Sequence, residues 1–393
     1  MNHKFTFIDL FAGIGAFHLA LENLGGKCVF ASEIDKQAIE TYQKNFQMNS
    51  NYNIFNVDAK DIPKHDVLCA GFPCQPFSNA GHKLGFTDTR GTLFFEIERI
   101  LKYHKTKYIV LENVKHLVNH DNGNTYRIIV EHLKDLGYIL TEKPVIISPH
   151  HIGIPQNRER IFILGIHKDY IEADNIVISL PDKTQYPTTN VYSVLDKSID
   201  NYGNYAITKY EANVLRAWDV FVKHFKKHNI KICSPALVDE FGATYDYSNL
   251  QNWKQDYCKK NRQFYIDNKE FLDTWMQAFD VQNFKKRDRK FEWQAGDTAD
   301  SVYQTLVQLR QSGVRCKRIA TFPALVAIVQ TSIVGKYLRR ITPREAARLQ
   351  SFPEEYQLHE NDSIAYKQLG NSANVEVIKF LCKQLFEIQL KES

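Results

Sequence analysis

The sequence is poor in the features that mark membrane, secreted and metal-bound proteins. No apolar run approaches the roughly 18 residues that a membrane-spanning helix needs, so no membrane segment is expected. The seven cysteines form no CxxC pair and no Cys/His cluster at zinc spacing, which predicts reduced thiols, a cytoplasmic protein and no bound metal. The amino terminus runs straight into a strand-like segment, so we expect no signal peptide.

An excess of charge of one sign is also missing. Lys and Arg number 50 against 45 Asp and Glu, which leaves a net charge of +5 and a pI near 8.6. This mild basicity permits nucleic-acid binding without requiring it. Hydrophobic residues make up 44% of the 393 residues, which is typical of a globular protein large enough for two domains.

Strand-like and helical segments alternate through the first half of the chain. Apolar, β-rich runs lie at 5–10, 28–31, 67–70, 108–111 and 161–166, and helical spacing falls between them, for example at 93–101 and 128–136. Repeated β–α units predict a doubly wound α/β sheet, mostly parallel but mixed. Such sheets bind their ligands at the carboxyl ends of the strands.

The alternation breaks near residue 181, where a long polar and aromatic stretch begins. Its three basic clusters lie at 259–262, 285–290 and 315–318. We therefore predict a smaller domain inserted into the first one. Residues 1–181 and 362–393 would form the larger domain, and residues 182–361 the inserted one.

A glycine-containing turn follows the first strand. Gly13 and Gly15 would let the backbone approach a ligand closely, but His18 stands where a dinucleotide fingerprint needs a third glycine, so NAD binding is disfavoured. Glu33 ends the second strand, where an acid can accept hydrogen bonds from a ribose, although it could instead be a charge at a helix start. Asp58, placed after a probable third strand, is either a ligand contact or a loop acid.

Three further segments carry candidate chemistry. Cys74 follows Pro73 just past a short apolar strand, a position that suits an accessible nucleophilic thiolate, though an incidental cysteine in a proline turn is the alternative. Glu112 leaves a buried strand as either a catalytic acid or a helix cap. Arg158 and Arg160 alternate onto one strand face, as an anion or carbonyl clamp or as a salt-bridged edge.

Taken together and in their order, six segments resemble bacterial DNA cytosine-5 methyltransferases of the restriction-modification type. They are residues 11–15, 73–75, 112–114, 156–160, 344–348 with 352–353, and 370–372. The resemblance covers about residues 5–167 and 340–380, and the stretch between is that family's variable target-recognition region. Val57 stands where the family commonly has glycine, and Ala373 where it usually has valine.

The resemblance implies a Rossmann-like fold that binds S-adenosylmethionine, with S-adenosylhomocysteine as product and no metal. Phe11 and Ile34 would flank the adenine, Glu33 would bind the ribose hydroxyls, and Asp58 would accept from the adenine amine. The remaining implied cofactor-binding residues are Gly13, Gly15, Pro73, Asn371 (on the methionine side) and Ser372.

The resemblance also implies a covalent mechanism on a flipped-out cytosine. Cys74 would add to carbon 6, Glu112 would contact ring N3 and the exocyclic amine, and Arg160 would hold O2. Arg158 would position Cys74, Glu112 or a nearby phosphate. The segment from Gln75 to Arg90, including Ser78, resembles the loop that closes over the flipped base and contacts DNA.

The expected partner is double-stranded DNA, bound by a monomer that would be associated with the bacterial nucleoid. A cognate restriction endonuclease would share the system without obligatory contact. A tRNA cytosine-5 methyltransferase is the close alternative, and the large inserted domain favours DNA over it. A binding protein that has lost catalysis is disfavoured by the complete set of Cys74, Glu112, Arg158 and Arg160, and a nicotinamide dehydrogenase is disfavoured by His18.

Overall fold

A computed structural model describes residues 3–72, 92–196, 202–325 and 331–391. The chain divides into two compact units. Unit 1 comprises Met1–Thr189, Ala324–Ile328 and Ala346–Ser393, and unit 2 comprises Asn190–Pro323 and Val329–Glu345. Residues 346–361, which the sequence placed in the inserted domain, belong to unit 1. The assignment of separate functions to the two predicted domains stays a prediction.

Unit 1 begins with strands and helices in alternation. The strands are β1 (Phe5–Leu10), β2 (Gly26–Ser32), β3 (Val67–Gly71), β4 (Tyr108–Val114), β5 (Tyr138–Leu140), β6 (Val145–Ile147), β7 (Gln156–Asn157) and β8 (Arg160–His167). The helices are α1 (Ala16–Glu22), α2 (Lys36–Phe46), α3 (Thr92–His104) and α4 (Asn124–Asp135). Apart from a strand expected before Asp58, every strand and helix expected from the alternation of patterns in residues 5–166 is present, with ends that differ by a few residues.

The central sheet of unit 1 has the strand order β2-β1-β3-β4-β8-β5, with β6 also paired to β8. Strands β1 to β4 are parallel, whereas β8 is antiparallel to each of β4, β5 and β6. Strand β8 is therefore the one strand of this sheet that runs against the others. The predicted doubly wound, mixed α/β fold is confirmed.

Apolar strands covered on both faces hold unit 1 together. Ile8, Leu68, Ile109 and Ile163 are buried in one cluster, into which the helix residue Ile97 also packs. Near-continuous apolar runs are what sheets with two covered faces require. The same arrangement leaves polar side chains only where the strands end.

The strand expected before Asp58 is absent, so that expectation was wrong. The 3-10 turns Ile54–Asn56 and Ala59–Asp61 flank Asp58, and the side chains of Asn53 and Asp58 accept hydrogen bonds from the amides of Phe55 and Lys60. Such local side-chain caps compete with strand pairing and favour turns.

Unit 2 combines three helices with a second sheet. The helices are α5 (Lys209–Lys227), α6 (Asn252–Asp267) and α7 (Lys269–Phe279). The strands are β9 (Ala236–Leu237), β10 (Lys290–Gln294), β11 (Leu306–Arg310), β12 (Gly313–Lys317), β13 (Phe322–Pro323), β14 (Ile333–Val334) and β15 (Arg339–Arg340). The six-stranded sheet has the order β15-β14-β11-β12-β10-β9. Its core contains Trp218, Phe221, Trp275 and Phe291.

The chain closes with α8 (Pro343–Leu349), α9 (Asp362–Asn371) and α10 (Val375–Glu387). Helices α9 and α10 belong to unit 1, and α10 packs against α1. Within the described ranges, no helix is both long enough and apolar enough to cross a membrane.

Candidate functional site

A cavity of about 490 Å³ opens in unit 1 where β1, β2, β3 and β4 end. Its walls come from the turn after β1, the residues after β2, the ends of β3 and β4, the start of β8, and the end of α9. The lining residues used below are Phe11, Gly13, Glu33, Ile34, Phe72, Glu112, Asn113, Arg158, Arg160, Lys367, Gln368, Asn371 and Ser372. The carboxyl edge of the sheet is where the fold class predicts a ligand.

The two glycines of the turn after β1 serve different purposes. Gly13 has φ +55°, and a Cβ built on it would meet nothing within 4 Å, so its backbone is open to a ligand. Gly15 has φ +84°, and a Cβ there would lie 2.2 Å from the Phe46 ring. Gly13 thus leaves room for a bound molecule, whereas Gly15 permits α1 to pack closely on α2.

Glu33 is held in place by backbone amides. One carboxylate oxygen accepts from Gly13 N at 2.8 Å, and the other accepts from Ile34 N and Asp35 N at 2.7 and 2.9 Å. The neighbouring Ile34 side chain is 71% exposed at the cavity. An anchored acid beside an unpartnered apolar side chain suits a ligand with hydroxyl groups and a flat apolar ring.

Helix α9 closes the cavity on the side of α2. Lys367 Nζ lies 3.2 Å from Asp35 Oδ2, and Gln368 Nε2 donates to Gln37 O at 2.9 Å. Sequence reasoning missed Lys367 and Gln368, although they directly precede the recognised segment 370–372. Asn371 and Ser372 lie at the end of the same helix and line the cavity, as expected.

A buried polar pair lies behind the turn. Asp9 is fully buried and accepts from His18 N at 3.3 Å. Burial raises the pKa of Asp9 to about 8, the hydrogen bond from His18 opposes this, and the charge of Glu33 adds to it. Burial also lowers the pKa of His18 to about 4, so this side chain is neutral where it lies 2.6 Å from the Tyr42 hydroxyl.

Glu112 lies at the carboxyl end of β4, opposite Gly71 of β3 and Phe162 of β8. Its Oε1 is 3.0 Å from Arg160 Nε. Burial raises the pKa of Glu112, and the charges of Arg160 and Arg158 partly oppose that rise. The structure therefore brings together the predicted acid and both predicted arginines.

Arg158 is only 3% exposed and binds backbone. Its guanidinium donates to the carbonyls of Leu325, Gly370 and Ser372, each at 2.8 Å. Burial and the charge of Arg160 lower the pKa of Arg158 to about 9, and Glu112 opposes this. The group is thus still charged at neutral pH, and it ties the segment after α9 to the cavity wall.

The predicted residues Pro73, Cys74, Gln75, Ser78 and Arg90 lie outside the described residues. Phe72 is the last described residue before them, and its carbonyl accepts a hydrogen bond from Asn113 Nδ2 at 2.8 Å. Asn113 had been given no role of its own. It fixes the backbone two residues before Cys74 to the strand that carries Glu112.

Asp58 does not join the other predicted residues. It caps its own turn, pairs with Lys60 at 3.1 Å, and is absent from the described cavity wall. The 3-10 turns around it point its carboxylate to this local partner. In the described part of the chain, no group of three or more His, Cys, Asp or Glu could hold a metal ion.

Comparison with known proteins identifies the family of this chain. Residues 5–387 match the family of C-5 cytosine-specific DNA methylases. The chain is 32% identical to the type II methyltransferase M.BanI of Aneurinibacillus aneurinilyticus, over 99% of this chain and 97% of that protein. It is 35% identical to M.HpaII of Haemophilus parainfluenzae, over 98% and 90%.

The fold is shared with solved structures as well. A DNMT2 structure from Spodoptera frugiperda superposes with a TM-score of 0.56 at 22% identity, over 98% of this chain and 100% of that one. A DNA modification methyltransferase described as putative, from an Escherichia coli prophage, gives a TM-score of 0.56 at 21% identity, over 97% and 98%. Since the sequence match spans nearly the whole chain, the protein belongs to the C-5 cytosine-specific DNA methylase family.

Proposed function

We propose that this DNA (cytosine-5)-methyltransferase modifies one cytosine in a short double-stranded site, using a flipped-out base and a covalent bond from Cys74. The observation that carries the proposal is the Glu112–Arg160 pair, 3.0 Å apart, in the same cavity as the glycine turn and Glu33. A base-binding acid and a cofactor-type turn share one cavity, as methyl transfer to a base requires.

Burial of the acid favours the contact that the reaction needs. Carbon 5 of cytosine is a poor nucleophile until a thiolate has added to carbon 6, and a proton or a strong hydrogen bond at ring N3 promotes that addition because it withdraws electrons from the ring. Burial raises the pKa of Glu112, so its carboxyl group can donate to N3 and accept from the exocyclic amine. Arg160 donates to the cytosine O2. Arg158 has a positioning role and does not contact the base, since its guanidinium donates hydrogen bonds to backbone carbonyls.

Cys74 supplies the nucleophile. Its thiolate forms a bond to carbon 6, and the ring electrons move to carbon 5, which takes the methyl group. A base then removes the carbon-5 proton, and elimination breaks the sulfur–carbon bond and restores the aromatic ring. A free thiol is only a few per cent ionised at neutral pH, so the arginines of the site would favour the thiolate.

The cavity fits S-adenosylmethionine, which supplies an electrophilic methyl group when bound. Glu33 would hold the ribose hydroxyls, Ile34 and Phe11 would flank the adenine, and the open backbone of Gly13 would admit the ligand closely. Asn371 and Ser372 would line the methionine side, with Gly15 and Pro73 shaping the turns. Asp58 pairs with Lys60 outside the described cavity wall, so it would accept from the adenine amine only after its carboxylate turned away from Lys60.

A stacked cytosine is out of reach of any thiol, so the base must leave the duplex at a cost of a few kcal/mol. We assign Gln75, Ser78 and Arg90 to the loop that would close over it. The type II methyltransferase relatives support a role as the modification half of a restriction-modification system. We further propose that the protein acts as a monomer beside a separate endonuclease.

A trapping experiment tests the mechanism. In a duplex whose target cytosine carries fluorine at carbon 5, no proton can be removed after addition, so the protein should stay bound to DNA on a denaturing gel. The target site would first be located by bisulfite sequencing of DNA from expressing cells.

The Cys74→Ser variant should bind S-adenosylmethionine but form no adduct and leave no methyl mark. Cys233→Ser, at a half-buried cysteine of unit 2, is the control and should behave as the parent. Substantial methylation by the Cys74→Ser variant would overturn the proposal, and a mark on tRNA instead of DNA would revive the RNA alternative.

A further inference from the structure

Three strands of unit 2 present one polar face, which we call the hairpin face. Side chains alternate along β10, β11 and β12, so Phe291, Val307, Val314 and Cys316 enter the core. The opposite face carries Leu306, which is fully buried at the start of β11. Its other side chains are polar or charged and comprise Lys290, Glu292, Gln294, Gln308, Arg310, Arg315 and Lys317.

Glu292 lies at the centre of this face and fixes two arginines. It is opposite Arg315 in the sheet register. Arg315 places Nε and Nη2 each 2.7 Å from Oε2, and Arg310 places Nη2 2.9 Å from Oε1. The side chains of Arg310 and Arg315 are 20% and 25% exposed. Within the described chain Glu292 is their one hydrogen-bond partner. Arg310 Nε is buried, so the groups that a ligand could reach are the other unpaired guanidinium N–H groups of the two arginines.

The charge of the face is strongly one-sided. Lys290, Arg310, Arg315 and Lys317 surround Glu292, which is the one acid on the three strands. Burial, Arg315 and Arg310 together lower the pKa of Lys317, which shows how closely the positive charges approach. Such a face is complementary to a polyanion.

The tip of the hairpin formed by β11 and β12 extends past the pairing of both neighbouring strands. Arg310 pairs with Gly313, so the turn consists of Gln311 and Ser312 alone. Strand β14 pairs with β11 at Leu306 and Val307, and β10 pairs with β12 from Val314 to Lys317. Within the described chain no third strand pairs with the tip from Arg310 to Gly313, and a tip of two strands can enter the major groove of DNA.

The presence of the Glu292 carboxylate helps to distinguish phosphate binding from base reading as the use of this face. A surface that only held phosphates would be weakened by Glu292, because a negative charge repels the DNA backbone. A surface that reads bases gains from it, since guanine is recognised by arginine N–H groups in a fixed plane. The structure shows the arginines fixed at the expense of net charge.

We propose that Arg310 and Arg315 read guanine in the major groove of the target DNA, with Glu292 as the residue that positions them. This rests on the proposed function, in that DNA is the substrate, and it adds how the site is chosen. Lys290 and Lys317 would contact the flanking phosphates.

A selection experiment tests this without requiring methylation. The full-length protein would select binders from random 20-base-pair duplexes. Each guanine of the enriched motif would then be replaced in turn by 7-deazaguanine, which removes the N7 acceptor, and at least one replacement should weaken binding. The parent should lose roughly 5- to 150-fold in affinity, the range for one bidentate contact. Arg315→Gln should bind the two duplexes equally.

Two further variants distinguish recognition of guanine from the general attraction of positive charge to DNA. Arg315→Lys keeps the charge without the planar fork, so affinity for a random duplex should persist while discrimination falls. Glu292→Gln should bind a random duplex a few-fold more tightly and discriminate less. Lys269→Gln, on α7, is the control for loss of one positive charge and should leave the motif unchanged.

Two results would overturn the inference: indifference of the parent to 7-deazaguanine at every guanine of the motif, or an unchanged motif in Arg315→Gln. Stronger binding by Glu292→Gln with unchanged discrimination would reduce the face to a phosphate contact. Urea midpoints for each variant separate these results from misfolding. The selection experiment measures DNA binding alone. Its result can therefore be interpreted even if the covalent trapping experiment described under the proposed function fails.

Discussion

The cavity of unit 1 and the hairpin face of unit 2 are built in different ways. In the cavity, the side-chain pair of Glu112 and Arg160 is surrounded by groups anchored to backbone: Glu33 accepts from backbone amides, while Arg158 and Asn113 donate to backbone carbonyls. On the hairpin face, Glu292 and its two arginines bind one another. Side chains that bind backbone groups depend on the fold for their partners, whereas side chains that bind one another can be substituted together on an unchanged sheet. Backbone anchoring therefore suits a reaction that stays constant, and side-chain pairing suits a DNA specificity that varies.

The largest effect should follow from Arg158→Met. Three carbonyls would lose a charged donor in a buried site, and we expect unit 1 to lose on the order of 3–5 kcal/mol of stability. All four tryptophans lie in unit 2, so tryptophan fluorescence follows that unit and far-UV circular dichroism follows both. The dichroism transition in urea should move while the fluorescence transition stays.

The control for that variant is Arg127→Met, which removes an exposed pair with Glu131 on α4 and should cost under about 0.5 kcal/mol. Equal shifts of both transitions in Arg158→Met would show that the units unfold together and would break the comparison between them.

Glu112→Gln should come next in size. The amide is isosteric but is a far weaker proton donor to N3, and loss of one such stabilising group typically lowers kcat by about 10²–10³-fold. Single-turnover methylation measures this loss. The selected DNA motif should be unchanged, and an altered motif would mean that the cavity also determines specificity.

Asp9 provides a pH test of the buried pair behind the turn. In the folded state its pKa is about 8, and in the unfolded chain it is near 3.9. Between these values the folded state holds one more proton, so its contribution to stability is complete below about pH 4 and falls by about 1.4 kcal/mol per pH unit until about pH 8. Urea midpoints at pH 5, 6 and 7 should show a steeper decline for the parent than for Asp9→Asn. Parallel slopes would contradict the raised pKa.

Glu33→Gln should have the smallest effect of the set, and on the cofactor alone. Hydrogen bonds to a charged group contribute about 1.5–3 kcal/mol, so affinity for S-adenosylmethionine in calorimetry should fall about 10- to 100-fold. Asp58→Asn, at an exposed acid, should lose less than about tenfold. The reverse order would show that Asp58, and not Glu33, is the main polar contact.

Much of the cavity could be predicted because its residues follow local patterns. An apolar run followed by glycines places Gly13 at a strand end, and the same logic places Glu33 and Glu112. Asp58 shows the limit of this reasoning, since Asn53 and Asp58 cap turns where a strand was expected. Short polar side chains decide such segments locally, and the apolar pattern around them is too weak to show it.

By itself, the sequence determined the order of strands and helices, the carboxyl edge that carries the chemistry, and the six segments that reveal the family. Only the tertiary structure decided that β8 runs against its neighbours, that Arg158 binds the carbonyls of Gly370 and Ser372, and that Glu292 joins Arg310 to Arg315. The physical reason is the distance along the chain over which the interactions act. Strand and turn preferences act over a few neighbouring residues, whereas these contacts join distant or cross-strand groups whose approach depends on how the sheets fold.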